Sequence, residues 1–321
     1  MGSRVPSRSK NTILTAIYYL PFKQTYTHGY ITILARVFNI EKPGNNRKYA
    51  YYHTEFCQEQ GKTDCLHRRS AGKEAMKRVY YQDIGYKPFL FFVIYGVTCD
   101  DLEVSQKRHK VDELPEGLDL RTLTRELHGD YMDGFLTGPM GKVLGESNAD
   151  LLKSCKEAES CVILQGSVVN DSTLDYMRNA IGIIQAFVDK GAIGILDPQT
   201  IALHSAEQWT QRYFDKEVDA LRHVVILYSR EGDKYWLHTR GMAEFGRPDI
   251  GISDVPEEKV HDYTKIIEQM IYYGGQGVFF DRDTRLHTSD GKTFVIHPEF
   301  VNDFENDDYN NAYYNVTVLE E

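Results

Sequence analysis

The sequence predicts an α+β fold of mixed or antiparallel sheets with helices packed on one face, and three observations carry that prediction. Short runs rich in β-branched and aromatic residues recur along the chain, bounded by Gly, Pro, Asn and Asp. Apolar residues repeat at helical spacing in two stretches, 174–188 and 260–271. Tyrosine is unusually abundant, with 22 Tyr against 15 Phe and 2 Trp, and its half-polar ring suits the faces of a sheet.

Taken in order, residues 13–20 and 30–38 read as a hairpin, with Pro21 and His28-Gly29 supplying the turn chemistry. Residues 41–48 are a loop, and 57–75 are polar. Residues 89–97 form a buried strand, and 101–116 a charged linker or surface loop ending in Leu114-Pro-Glu-Gly117. Residues 161–164 are a strand; Ser172 then caps a helix with Asp175 as a box-like partner, and Gly191 stops it. Residues 192–196 return as a strand, making a βαβ-like unit or an antiparallel return. A hairpin follows over 224–229 and 234–239. Asp254 and Pro256 open a helix that runs through Tyr272 and ends at Gly274-Gly275. Two short strands, 277–280 and 293–297, close the fold around a turn at Ser289-Asp-Gly291.

A chain of 321 residues is long enough for one large or two moderate domains. Charge suggests a division at residue 115, into a basic β-rich subdomain (1–115) and an acidic α+β subdomain (116–321). Residues 1–90 hold 15 Lys+Arg against 6 Asp+Glu; the remainder hold 22 against 41, and the net charge is −10. No apolar run approaches the ~20 residues that cross a bilayer, and the first apolar run reads as a strand rather than a signal peptide. Cys57, Cys65, Cys99, Cys155 and Cys161 do not space as a disulfide framework, which fits a reducing cytoplasm.

Three groups of residues are candidates for function. Between Pro298 and Glu321 lie seven acidic residues, no Lys or Arg, and several aromatic rings. Asp303, Glu305, Asp307, Asp308, Tyr309, Tyr313 and Tyr314 can imitate phosphates and stacked bases before a basic partner, or simply maintain solubility. His238, Arg240, Glu244, Arg247 and Asp249 gather acid, base and anion-binding groups after a strand. They serve either as a pocket, with His297 or Glu299, or as ion pairs that pin a Gly-rich turn. His53, Cys57, Cys65 and His67 offer four soft ligands, but their spacing matches no common zinc knuckle. Asp281 and Asp283 beside Arg282 and Arg285 read as turn charges. Thr137-Gly-Pro-Met-Gly141-Lys-Val143 lacks phosphate-loop spacing, and no G-x-S-x-G elbow occurs. Nothing amounts to a catalytic set, no cofactor is implied, and without a recognition motif no direct nucleic-acid binding is expected.

Gln165-Gly-Ser-Val-Val-Asn170 and Trp236-Leu-His-Thr-Arg-Gly-Met-Ala-Glu-Phe-Gly-Arg-Pro-Asp249 resemble an uncharacterised bacterial family that carries a domain of unknown function in its carboxyl-terminal portion. The resemblance covers about residues 150–300, and no catalytic residues come with it. Genes of that kind look like those beside polymorphic toxins and type VI secretion effectors. The resemblance therefore implies a cytoplasmic immunity protein, not an enzyme, that neutralises a cognate secreted toxin, such as a nuclease. A secretion adaptor or chaperone, or an enzyme or small-ligand protein using the cluster at 238–249, is the alternative.

Overall fold

The computed structural model describes residues 49–51, 75–288, 290–303 and 309–320. The expected hairpin at 13–38, the loop at 41–48, the candidate ligands His53, Cys57, Cys65 and His67, and the tail residues Glu305, Asp307 and Asp308 lie outside them.

The described residues form an α+β fold on two sheets. The first has five strands in the order β3-β4-β2-β5-β6, every neighbour antiparallel. These are β2 (Phe89–Tyr95), β3 (Leu118–Thr124), β4 (Ser160–Ser167), β5 (Gly194–Asp197) and β6 (Ala202–Ser205). The expected strand–helix–strand unit is β4, α4 (Asp175–Asp189) and β5. Its strands are parallel but not adjacent, because β2 lies between them, antiparallel to both. The unit is thus a split βαβ.

That placement removes the division at residue 115. Strand β2, from the supposed amino-terminal subdomain, is the middle strand of a sheet built otherwise from residues 118–205. Its composition explains why: Phe-Leu-Phe-Phe-Val-Ile-Tyr is apolar at every position, as a strand covered on both faces must be. Leu90, Phe92 and Ile94 pack in a core that includes Met177, Ala180 and Ile184 of α4. Phe91, Val93 and Tyr95 pack with Met132 of α2 (Arg125–Gly134), Phe135 just after it and Leu144 of α3 (Gly138–Lys156).

The second sheet has seven strands in the order β1-β7-β8-β9-β12-β11-β10. They are β1 (Tyr49–Tyr51), β7 (Val225–Glu231), β8 (Lys234–Arg240), β9 (Asp249–Pro256), β10 (Thr284–His287), β11 (Thr293–Val301) and β12 (Tyr313–Glu320). Among the described strands of this sheet, only β9 and β12 pair in parallel. The β7–β8 hairpin turns where the sequence predicts, at Gly232-Asp233. Helix α7 (Val260–Gly275) buries Ile266, Ile267, Met270 and Ile271 in the same core that receives Leu237, Ile250, Phe294 and Ile296 of this sheet. One apolar core therefore joins both sheets.

Several local expectations are corrected. Residues 101–116 are not a free linker: helix α1 (Gln106–His109) lies there, and His109 and Val111 are buried against α4. Helix α4 begins at Asp175, not at Ser172; Thr173 Oγ1 instead accepts from the Asp175 amide. Asp254 does not cap α7, because β9 continues to Pro256 and a 3₁₀ turn, Glu257–Lys259, intervenes. Residues 277–280 are not a strand, and the closing strands are β10, β11 and β12.

Candidate functional site

Where the end of β5 approaches the link between β8 and β9, the two sheets meet through polar groups rather than apolar ones. Asp197 closes β5 and folds back on its own turn. Its Oδ1 accepts from the amides of Gln199 (2.9 Å) and Thr200 (3.4 Å), and its Oδ2 from the Thr200 hydroxyl. Asp-Pro at 197–198 begins such a turn by its own chemistry. The turn is strained: Ile201, a β-branched residue, sits at φ +57°. Across the seam, a 3₁₀ turn (Met242–Phe245) presents Glu244, which is fully buried.

Glu244 Oε2 lies 3.0 Å from His223 Nδ1 at the end of α6 (Ala220–His223), and its buried Oε1 has no hydrogen-bond partner. The His223 ring packs on Tyr213, which sits in a π-helical turn, Thr210–Phe214, that extends α5 (Ala206–Trp209). The Tyr213 hydroxyl in turn meets His204 Nε2 at 3.3 Å. Asp249, the first residue of β9, accepts from Thr239 Oγ1 (2.8 Å), Met242 N (3.3 Å) and Asn311 Nδ2 (3.2 Å). Arg240 donates its Nε to the Gln199 carbonyl at 3.1 Å, joining β8 to the strained turn.

Burial sets the protonation of this group. It pushes Glu244 up to about 8 and Asp249 up to about 6. Asp197 rises well above the carboxylate range, first through burial and then through the neighbouring Glu244 charge. Burial also drives His223 down to about 4, so its imidazole is neutral at physiological pH.

Of the five residues expected to form a pocket, Arg240, Glu244 and Asp249 do come together here. The other two go elsewhere. His238 stacks on Trp236 (centroids 3.7 Å apart, 12° between planes), with the Tyr309 ring edge-on to both. Arg247 donates to four carbonyls, those of Val278, Gly246, Gln82 and Gly277, and pins the Gly-rich turn through the backbone rather than through Glu244 or Asp249. His297 pairs with Asp283 at 2.6 Å, and Glu299 is exposed. All five residues at 238–249 are buried, none more than 6% exposed. Asp197, Gln199, Thr200, Tyr213 and His223 complete the seam and were not among the sequence candidates; the Asp-Pro-Gln-Thr turn was the one legible signal.

The aromatic residues expected on the acidic surface are mostly interior. Tyr314 is 2% exposed and its hydroxyl accepts from the Phe280 amide at 2.9 Å, so its ring belongs to the core. Tyr309 is 4% exposed and stacks on the half-buried Tyr313, centroids 3.8 Å apart. Neither Tyr309 nor Tyr314 offers its ring to a partner. Phe300 does, because it is exposed at the end of β11, with Tyr86 at 5.8 Å and Phe279 at 5.5 Å. Elsewhere on the surface Asp83, Asp281, Asp283, Glu299 and Asp303 are exposed, as are Arg282 and Arg285, and Lys87 bonds both Asp171 and Asp83.

Among the described residues, no group of three or more His, Cys, Asp or Glu side chains is placed to share a metal ion. Nor is any described helix long and apolar enough to cross a membrane. Comparison with protein-family models, with curated proteins and with solved structures finds no match in any of the three.

Proposed function

We propose that this chain is a binding protein, an immunity protein that neutralises a cognate secreted bacterial toxin in the cytoplasm by covering its active site. The observation that carries the reading is the exposed Phe300, packed on the half-buried Tyr86 and Phe279, in a stretch of chain (281–303) where exposed carboxylates outnumber basic residues. An aromatic anchor inside a charged rim is the usual anatomy of a tight interface. The sign of the rim suits a basic partner, of which a nuclease is the leading example. The burial of Glu244, Arg240 and Asp249 favours binding over catalysis, since a catalytic group must reach its substrate.

Co-expression with the product of the neighbouring gene tests the reading. Phe300→Ala should weaken the complex by at least about tenfold, as loss of an interface anchor does. Asp283→Lys with Glu299→Lys should slow association and flatten its dependence on salt. If both variants bind and protect like the wild type, this edge is not the contact surface. A complex that forms but leaves the toxin active would instead identify a secretion adaptor.

A further inference from the structure

A long strand at the rim of the five-stranded sheet stands without a neighbour. Among the described residues, nothing pairs with β3 on the side away from β4. The other rim strands are guarded by brevity: β6 and β10 have four residues each and β1 has three, against seven in β3. Nor does β3 carry a proline, a lysine or a bulge, and its register with β4 runs unbroken from Leu118 to Thr124.

That register decides which backbone groups face outward. The Arg125 amide donates to the Glu159 carbonyl at 2.8 Å, one step beyond the strand, so Leu123, Arg121 and Asp119 bond β4 and the residues between them point away. Two of the outward amides are satisfied locally, Leu118 by the Pro115 carbonyl (3.1 Å) and Thr124 by His128 Nδ1 (3.4 Å). The amides of Leu120 and Thr122, and the carbonyls of Leu118, Leu120 and Thr122, have no hydrogen-bond partner among the described residues. They form a ready template for one more strand.

We propose that β3 pairs antiparallel with β3 of a second copy of this chain, about a two-fold axis at Leu120, to make one continuous sheet. In that register the two Leu120 residues exchange both of their bonds, and each Thr122 amide meets the partner's Leu118 carbonyl. Charge selects the same register. Asp119 and Arg121 bond each other within the strand at 3.1 Å, and the two-fold sets Asp119 opposite the partner's Arg121, so that four charges alternate around the axis. The neighbouring registers, with the axis at Asp119 or at Arg121, set like charges directly opposite one another. The ends of the strand match as well. Leu127 is exposed just past one end, and Leu114 and Val169 are exposed at the other, where the Val169 amide holds the Glu116 carbonyl at 3.0 Å. Antiparallel pairing brings each apolar end to the opposite end of the partner.

Sedimentation velocity of the whole chain from about 1 to about 100 µM tests the pairing. The wild type should pass from monomer to dimer over that range. Amide hydrogen exchange at Leu120 and Thr122 should slow by about tenfold or more as the dimer fills, a measurement that needs no variant. Asp119→Arg or Arg121→Asp alone should weaken association by about tenfold or more. The two together should restore it, because the charges alternate again with their signs exchanged. A wild type that stays monomeric at the highest concentration overturns the proposal. So does a dimer whose Leu120 and Thr122 amides exchange as fast as in the monomer, or one that the double exchange of charge does not restore. Slowing of those amides in a monomeric chain only when the toxin is added would assign the edge to that partner instead.

Discussion

Arg78 holds four backbone carbonyls and a carboxylate at once, and removing it should be correspondingly costly. The residue is 3% exposed. Its guanidinium donates to the carbonyls of Gly275 (3.0 Å), Asp171 (3.2 Å), Phe245 (2.9 Å) and Gly274 (3.0 Å), and its Nη1 lies 3.6 Å from the Asp171 carboxylate. Gly274 and Gly275 end helix α7, so the positive charge also sits at the negative end of that helix dipole. Arg78→Met keeps the apolar stem and deletes every one of these bonds. Breaking a buried ion pair from one side costs about 3–5 kcal/mol, and each buried carbonyl left bare adds roughly 1 kcal/mol. Lys87 still holds Asp171 at 2.9 Å, which moderates the first figure. The expected loss is about 4–6 kcal/mol, a large share of the 5–15 kcal/mol typical of a folded domain. Urea unfolding at pH 7 measures it. Adding Asp171→Asn should recover part of the loss, since it neutralises the stranded charge, and Arg78→Lys should fall between, because one ammonium cannot span four carbonyls. A loss for Arg78→Met below about 1 kcal/mol would refute the reasoning.

Gly182 in α4 lies against α1, and a Cβ there would overlap the His109 carbonyl oxygen and crowd Val111. Gly182→Ala should therefore destabilise by about 1–3 kcal/mol despite the better helix propensity of alanine; a neutral or stabilising change in urea unfolding would contradict the packing. Burial pushes the thiols of Cys155 and Cys161 up to about 12, so neither should react with a thiol reagent at pH 8 in the native protein, while the half-exposed Cys99 should. Peptide mapping by mass spectrometry distinguishes them, and rapid native labelling of Cys155 or Cys161 would show that the core around α3 opens.

What the sequence made legible follows the strength of the local signal. The hairpin at β7–β8 is announced by Gly-Asp between alternating runs, and α4 and α7 by long apolar stripes. Helices α2 and α3 escaped because their patterns are broken: His128 and Asn148 leave helical geometry inside them, and Gly138, Gly141 and Gly145 dilute the stripe. The place of β2 between β4 and β5 could not be read, because an all-apolar strand says that both faces are covered but not by which neighbours. In the site, one-dimensional proximity at 238–249 correctly joined Arg240, Glu244 and Asp249. It missed Asp197 and His223, which are distant in sequence and arrive only when the sheets meet. The tail misled for a related reason: Tyr309, Tyr313 and Tyr314 share an acidic stretch, yet strand alternation turns Tyr314 into the core.

The two clusters that attract a functional reading are separated by what surrounds each. At the seam the polar groups are there because strand ends and tight turns leave backbone carbonyls and amides that an apolar interface cannot satisfy. Gln199 alone illustrates the demand. Its carbonyl receives Arg240 Nε (3.1 Å) and Asn310 Nδ2 (3.4 Å), and its side chain reaches the Phe89 carbonyl at 2.8 Å. Side chains recruited for that task bring charge into the interior, and carboxyls so enclosed hold protons that they would release in water. Perturbed acidity in this protein is therefore a consequence of joining two sheets, and it does not by itself argue for catalysis. At the Phe300 edge the reverse holds. Phe300 packs on Tyr314, Tyr86 and Phe279 yet keeps 37% of its surface in solvent, and contact with a second molecule is what that exposed face would serve.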